Sequence, residues 1–301
     1  MPTYITTHTG GTPTTRAASL LSTALSQLDP SSPAYSTLVE AHSLVAGEET
    51  YIERNTSELI VPAGHAVLEQ EVREVWDELL RGTTETDWKA VKDREETTFE
   101  LGAGMCSGPY EAVVLQNFAL MQGAKTVLEI GVFTGTATLA LALLPSVTQV
   151  VALDIEPFLE SFNTPYWTRA GVSSKIDLRI APALESLAKL KQEGHEGFDL
   201  VFIDADKPSY RTYVEQVLEL GLLKENGVIL VDNTLYKGYP WVPPASTDQS
   251  TYAKSNRTNN KSKSEATKGI DDFNTYVRSH PDLETAVLPI RDGITVIRRR
   301  I

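Results

Sequence analysis

From residue 126 onward the chain repeats one pattern: a short apolar run, a turn, a helix-length segment, then another apolar run. Residues 126–130, 149–154, 176–180, 200–204 and 228–232 are each rich in Val, Ile, Leu or Phe. Runs this short belong to strands, and apolar residues at successive positions mean burial on both faces. The segments between them are long enough to cross over as helices, which parallel strands require. The pattern therefore predicts a parallel sheet covered on both sides. The ending departs from it. Residues 285–289 and 294–298 flank a turn carrying Asp292-Gly293, a hairpin signal. The expected fold class is thus α/β: a doubly wound, seven-stranded, mostly parallel sheet with an antiparallel C-terminal hairpin and an N-terminal helical extension.

Ahead of the sheet the periodicity is helical. Residues 16–28 place Leu20, Leu21, Ala24, Leu25 and Leu28 on one stripe, which needs a surface to cover it. That surface is either the chain's own domain or a second copy. Asp29-Pro30 and Pro33 break the helix, and residues 35–54 form a second one. A third, over 64–81, buries Val67, Leu68, Val72, Val75, Trp76 and Leu79; shorter helices follow at 88–99 and 109–121. The organisation expected is an extension over 1–60 and one domain over 61–301. Within that domain, 246–268 holds five basic and two acidic residues and almost nothing apolar. Its composition reads as a solvated surface loop, or alternatively as a lid over an active site.

Charge and cysteine usage narrow the function. Twenty-seven Lys and Arg against 40 Asp and Glu give a net charge of −13, which repels nucleic acid. Cys106 is the single cysteine, so neither an intrachain disulfide nor a cysteine-rich zinc site can form. No apolar run approaches the roughly 18 residues of a membrane span, and the N-terminus lacks the apolar centre of a secretory signal. A cytoplasmic protein without a membrane partner is expected.

The first strand runs into Glu129-Ile130-Gly131-Val132-Phe133-Thr134-Gly135. Glycines at such a turn let backbone approach a ligand closely. The spacing is not that of a dinucleotide fingerprint, and an acid ahead of the turn disfavours a pyrophosphate but suits a ligand carrying an ammonium group. Asp154 ends the second strand, 19 residues after Gly135. An acid there can take both hydroxyls of a ribose, or it can simply cap a helix. No phosphate-binding loop of the G-x-x-x-x-G-K-[ST] kind is present.

A second constellation lies at neighbouring strand ends. The fourth strand closes on Asp204-Ala205-Asp206-Lys207 and the fifth on Asp232-Asn233. Open α/β sheets bind ligands at such ends. Asp204, Asp232 and Asn233 offer hard oxygens without His or Cys, which favours Mg²⁺ or Ca²⁺ over zinc. Taken separately, Asp232-Asn233 is also a common cap or turn.

Residues 129–135, 152–154, 202–207 with Tyr210, Asp232-Asn233-Thr234-Leu235 and 288–299 together carry a resemblance. The chain resembles the cation-dependent class I S-adenosylmethionine O-methyltransferases, the family of caffeoyl-CoA and catechol O-methyltransferases. The likeness runs from about 105 to 238 and again from 270 to the end, and is absent from the first ~60 residues and the polar stretch. It implies that Asp204, Asp232 and Asn233 hold a divalent cation such as Mg²⁺. It implies that Lys207, beside Asp204, removes the proton of the acceptor hydroxyl. Cosubstrate contacts fall on Met105, Ser107, Glu129, Gly131, Val132, Phe133, Asp154, Ile155, Ala183, Asp204 and Asp206. Acceptor contacts fall on Tyr210, Trp241 and Lys237, which stands in place of an asparagine. The resemblance further implies a homodimer and a small phenolic substrate. With no basic residues located for a CoA tail, a free catechol-like phenol is expected. The competing readings are an NAD-dependent oxidoreductase and a non-catalytic S-adenosylmethionine-binding module.

Overall fold

The structure, a computed structural model, describes residues 11–242 and 260–301. Its centre is a seven-stranded sheet in the order β3-β2-β1-β4-β5-β7-β6. The strands are β1 (Thr126–Ile130), β2 (Gln149–Asp154), β3 (Ile176–Ile180), β4 (Phe198–Ile203), β5 (Leu223–Val231), β6 (Leu283–Leu288) and β7 (Ile294–Arg299). β1 to β5 pair in parallel. β7 runs antiparallel to both β5 and β6. The expected fold class is the one observed, because a short turn rather than a helix joins β6 to β7 and forces the chain to reverse.

The central strands divide their side chains between two cores, as the two-residue period requires. Val127, Leu200 and Phe202 enter one core; Leu128, Ile130, Val201 and Ile203 enter the other. On the first face lie α3 (Glu69–Glu85), α5 (Gly108–Gln122), α6 (Thr136–Leu143) and α7 (Phe158–Arg169). On the second lie α8 (Ala183–Gln192), α9 (Tyr210–Glu219) and α10 (Asn260–Ser279). α4 (Trp88–Asp93) packs Trp88, tilted, against Phe133 and Phe162, with ring centroids 5.2 and 5.6 Å away.

Several boundaries moved for identifiable reasons. α3 starts five residues later than expected and runs on to Glu85, so Leu68 stands outside it as an exposed cap residue. β5 begins at Leu223, ahead of its apolar run, because Lys224, Glu225 and Asn226 extend it beyond the buried part of the sheet. The polar stretch needs a larger correction. Residues 246–259 lie outside the described residues, but 260–268 belong to α10, not to a loop. Ile270, Phe273 and Val277, at helical spacing and buried, anchor that helix to the sheet.

The N-terminal extension is helical, as expected. α1 (Pro13–Leu25) and α2 (Tyr35–Asn55) form a helical hairpin. Within the single chain α1 buries Arg16, leaves Leu21, Ala24, Leu25 and Leu28 partly buried, and exposes Leu20 by 46%. The Arg16 guanidinium donates to the carbonyls of Lys237 (3.0 Å) and Val242 (2.8 Å) and stacks 4.5 Å over the Tyr239 ring. Five donors in a planar fork can satisfy several loop carbonyls at once, which a leucine stripe cannot. Among the described residues no helix is long and apolar enough to cross a membrane.

Candidate active site

A cavity of about 1050 Å³ opens where β1, β2, β4 and β5 end. Each strand delivers one element of it.

β1 delivers the glycine turn. Gly131 has φ +92°, and a Cβ there would lie 2.1 Å from the carbonyl oxygen of Asp204. Only glycine lets the β1 and β4 ends approach this closely. Gly131→Ala is expected to cost at least about 2 kcal/mol of stability, from backbone strain plus the clash. A thermal melt within a degree of the parent chain would contradict this.

β2 delivers Asp154, whose carboxylate organises the turn itself. Oδ2 accepts from the amides of Val132 (2.9 Å) and Phe133 (3.0 Å); Oδ1 accepts from those of Ile155 (2.7 Å) and Glu156 (3.0 Å). Asp154 also lines the cavity. Asp154→Ala is therefore expected to weaken S-adenosylhomocysteine binding by about 1.5–3 kcal/mol and to loosen the turn as well. Calorimetry paired with a melt separates the two losses; unchanged binding would leave Asp154 only its turn. Two residues on, the buried Glu156 accepts from the amides of Thr98 (2.6 Å) and Phe99 (3.1 Å), tying the preceding strap to the cavity rim.

β4 delivers Asp204, Asp206 and Lys207. Lys207 Nζ lies 2.8 Å from Asp204 Oδ1 and 2.6 Å from the Tyr210 hydroxyl. Asp206 accepts from the hydroxyls of Tyr213 and Ser209, both at 2.5 Å. The lysine turn is pinned from outside by α10: a Cβ on Gly269 would sit 2.6 Å from Pro208 Cα and 2.7 Å from the Lys207 carbonyl.

β5 delivers Asp232 and Asn233. Asn233 has φ +59°, a conformation asparagine tolerates better than most residues. Asp232 is buried, and burial together with the Asp204 charge pushes its carboxyl above the usual range. Glu111, on α5, is pushed the same way by burial and by Asp232. The β6–β7 turn adds Arg291, whose guanidinium pairs with Glu111 at 2.9 Å, and Asp292, pushed up to about 8 by burial. Lys237 faces the same cavity and is shifted down by burial. Thr12 and Glu49 bring the N-terminal hairpin to the rim, their side chains hydrogen-bonded to each other.

Most residues singled out from the sequence meet here. Met105, Ser107, Gly131, Val132, Phe133, Asp154, Ile155, Ala183, Asp204, Asp206, Lys207, Asp232, Asn233 and Lys237 all line the cavity. Three do not. Glu129 is 1% exposed beneath the turn, bonded to the Thr138 hydroxyl at 2.6 Å and pushed up to about 8 by burial. Tyr210 is wholly buried behind Lys207, so it supports the lysine instead of meeting an acceptor. Trp241 is 56% exposed and off the cavity wall. Among the described residues no group of three His, Cys, Asp or Glu is arranged to hold a metal. Glu111, Arg291 and Gly269 escaped the sequence reading. An acid on an otherwise apolar helix could have flagged Glu111; the other two carry no local signal.

The chain belongs to the O-methyltransferase family, whose pattern matches residues 83–300. It is an enzyme that transfers a methyl group from S-adenosylmethionine to oxygen. It is 36% identical to tricin synthase 1 of Oryza sativa subsp. japonica over 221 residues, 71% of this chain and 81% of that one. It is also 36% identical to caffeoyl-CoA O-methyltransferase 1 of Eucalyptus globulus over 197 residues, 65% of this chain and 75% of that one. The SAH-bound Podospora anserina methyltransferase PaMTH1 shares the fold at a TM-score of 0.66 and 23% identity, over 86% of this chain and 96% of that one.

Proposed function

We propose that this O-methyltransferase depends on a divalent cation and acts on small catechol-like phenols. One observation carries the cation: Asp232 Oδ1 is buried without a hydrogen-bond partner among the described residues, next to Asn233 and near Asp204. Carboxylate and amide oxygens with no soft ligand suit Mg²⁺ or a similar hard ion held by Asp204, Asp232 and Asn233. Such an ion, when bound, stabilises a phenolate and orients two vicinal oxygens.

The chain's own residues do the rest. A phenol with a pKa of about 10 is mostly un-ionised at neutral pH and a poor nucleophile. Lys207 Nζ is placed to take its proton, steered by Asp204 and by the buried Tyr210 hydroxyl. The glycine turn and Asp154 fix the cosubstrate, so that the methyl carbon and the acceptor oxygen meet in line. The relatives named for tricin and caffeoyl-CoA support a phenolic acceptor. Turnover of a phenol panel with and without Mg²⁺ tests this: catechols should be methylated only with the cation. Equal turnover of simple monophenols without any cation would refute the reading.

The homodimer belongs to the same proposal. Leu20, Val39, Leu44 and Tyr51 are exposed on the α1–α2 hairpin, which supports a second copy covering it. Light scattering on the full chain and on a chain lacking residues 1–57 decides this; a monomer mass for the full chain at high concentration defeats it.

A further inference from the structure

The turn that follows Asn233 carries more left-handed backbone than its residue types favour. Tyr236, Lys237 and Gly238 follow one another at φ +41°, +59° and +72°. Only the glycine adopts that region freely, so the other two persist because their surroundings hold them. Tyr236 and Lys237 both line the cavity. This strained turn therefore sets where two cavity side chains stand.

Three elements hold it. The β6–β7 turn takes its start: the amides of Thr234 and Leu235 donate to the carbonyls of Gly293 (3.0 Å) and Asp292 (2.9 Å), and the Lys237 amide donates to Asp292 Oδ1 at 2.5 Å. α10 adds Asn274, whose Nδ2 donates to the Thr234 carbonyl at 2.9 Å. The far side is gripped from α1. Arg16 Nη1 reaches the carbonyls of Lys237 and Val242 at 3.0 and 2.8 Å, and its guanidinium covers the Tyr239 ring that lies between them in sequence. Its Nε is buried without a hydrogen-bond partner among the described residues, so this is a costly side chain with which to pack a helix. On the same helix, Thr12 is hydrogen-bonded to Glu49 of α2, and both line the cavity, which fixes α1 at the rim.

We infer that Arg16 is a positioning residue of the acceptor site. By clamping residues 237–242 it keeps Lys237 in the cavity wall, so the N-terminal hairpin sets acceptor affinity in its own chain. This rests on the phenolic-acceptor reading above and adds a specificity determinant from outside the catalytic sheet. The other functions are held elsewhere: Lys207 by Asp204 and Tyr210, and the glycine turn by Asp154. Loss of Arg16 should therefore show in acceptor binding and not in the chemistry.

Trp241, inside the clamped stretch, reports on the clamp without turnover. It is 56% exposed, whereas Trp76, Trp88 and Trp167 are at most 5% exposed, so acrylamide quenching of the full chain reads mainly Trp241. Arg16→Met keeps an unbranched stem but no donor, and quenching should rise in it. Its KM for a catechol acceptor should rise about ten- to hundredfold, the weight of hydrogen bonds from a charged donor. Its kcat at saturating acceptor should stay within about threefold, the signature of lost binding rather than lost chemistry. S-adenosylhomocysteine affinity, by calorimetry, should persist. Arg16→Lys keeps the charge without the flat fork and should fall between. Unchanged quenching in a folded Arg16→Met overturns the clamp, and a looser loop with unchanged acceptor KM overturns its role in the acceptor site. A raised KM accompanied by weaker S-adenosylhomocysteine binding and a lower melt also overturns the inference and makes Arg16 a general packing residue. If Arg16→Met fails to fold, Arg16→Lys carries the same comparisons. An unsubstituted chain that methylates no phenol refutes the acceptor reading itself, and quenching then still decides the clamp.

Discussion

Lys207→Ala is expected to lower kcat about 10²–10⁴-fold, the usual cost of losing a general base, with S-adenosylhomocysteine affinity nearly intact. The lysine ends at the junction of Asp204 and Tyr210, and its side chain is only 16% exposed. It lines the cavity beside the acid set and has little freedom to point elsewhere. Removing it leaves Asp204 and the Tyr210 hydroxyl each short of a partner, so some stability is lost too. A melt and a calorimetric titration on the same sample separate that loss from the loss of chemistry. Lys207→Arg keeps the charge but not a group able to accept a proton, so it should be nearly as slow. A normal kcat in Lys207→Ala would show that the cation alone activates the hydroxyl.

Asp204→Ala is expected to remove most turnover, and thorough chelation of the parent chain should do the same. Asp204 sits just past the end of β4, at the cavity, where its amide continues the ladder by donating to the Ile130 carbonyl at 2.9 Å. The backbone bond survives the substitution, so the fold should hold. The lost carboxylate takes with it a hard ligand and the partner that steers Lys207. Chelation and mutation should then agree in direction, with Mg²⁺ restoring the chelated parent but not the mutant. Full activity after chelation would end the case for a cation and leave Asp204 as a lysine-positioning residue.

Local pattern was sufficient for the strands. Leu128 and Ile130, or Val201 and Ile203, must enter one core once a period of two places them on one face, whatever the neighbours are. The same logic placed Asp154, Asp204 and Asp232 at carboxyl ends, because each directly follows or closes an apolar run. Helix faces were legible where the stripe was strong, as for Val72, Val75, Trp76 and Leu79 on α3. They did not reveal the buried Arg16 on α1, whose guanidinium found carbonyls 221 and 226 residues away. Nothing within one helical turn encodes such a partner.

The acid and lysine types, and their spacing at the strand ends, were thus determined by the sequence alone. Which side chains reach the cavity was decided by tertiary packing. Glu129 and Tyr210 lie in the same motifs as the cavity residues, yet alternation and a helix turn direct them into the cores. Glu111 and Arg291 come from separate helical and hairpin contexts and acquire meaning only because α5 and the β6–β7 turn meet over Asp232. Burial then sets their electrostatics, since a carboxyl's charge depends on the dielectric and charges packed around it. Those are properties of three-dimensional neighbours and have no counterpart along the chain.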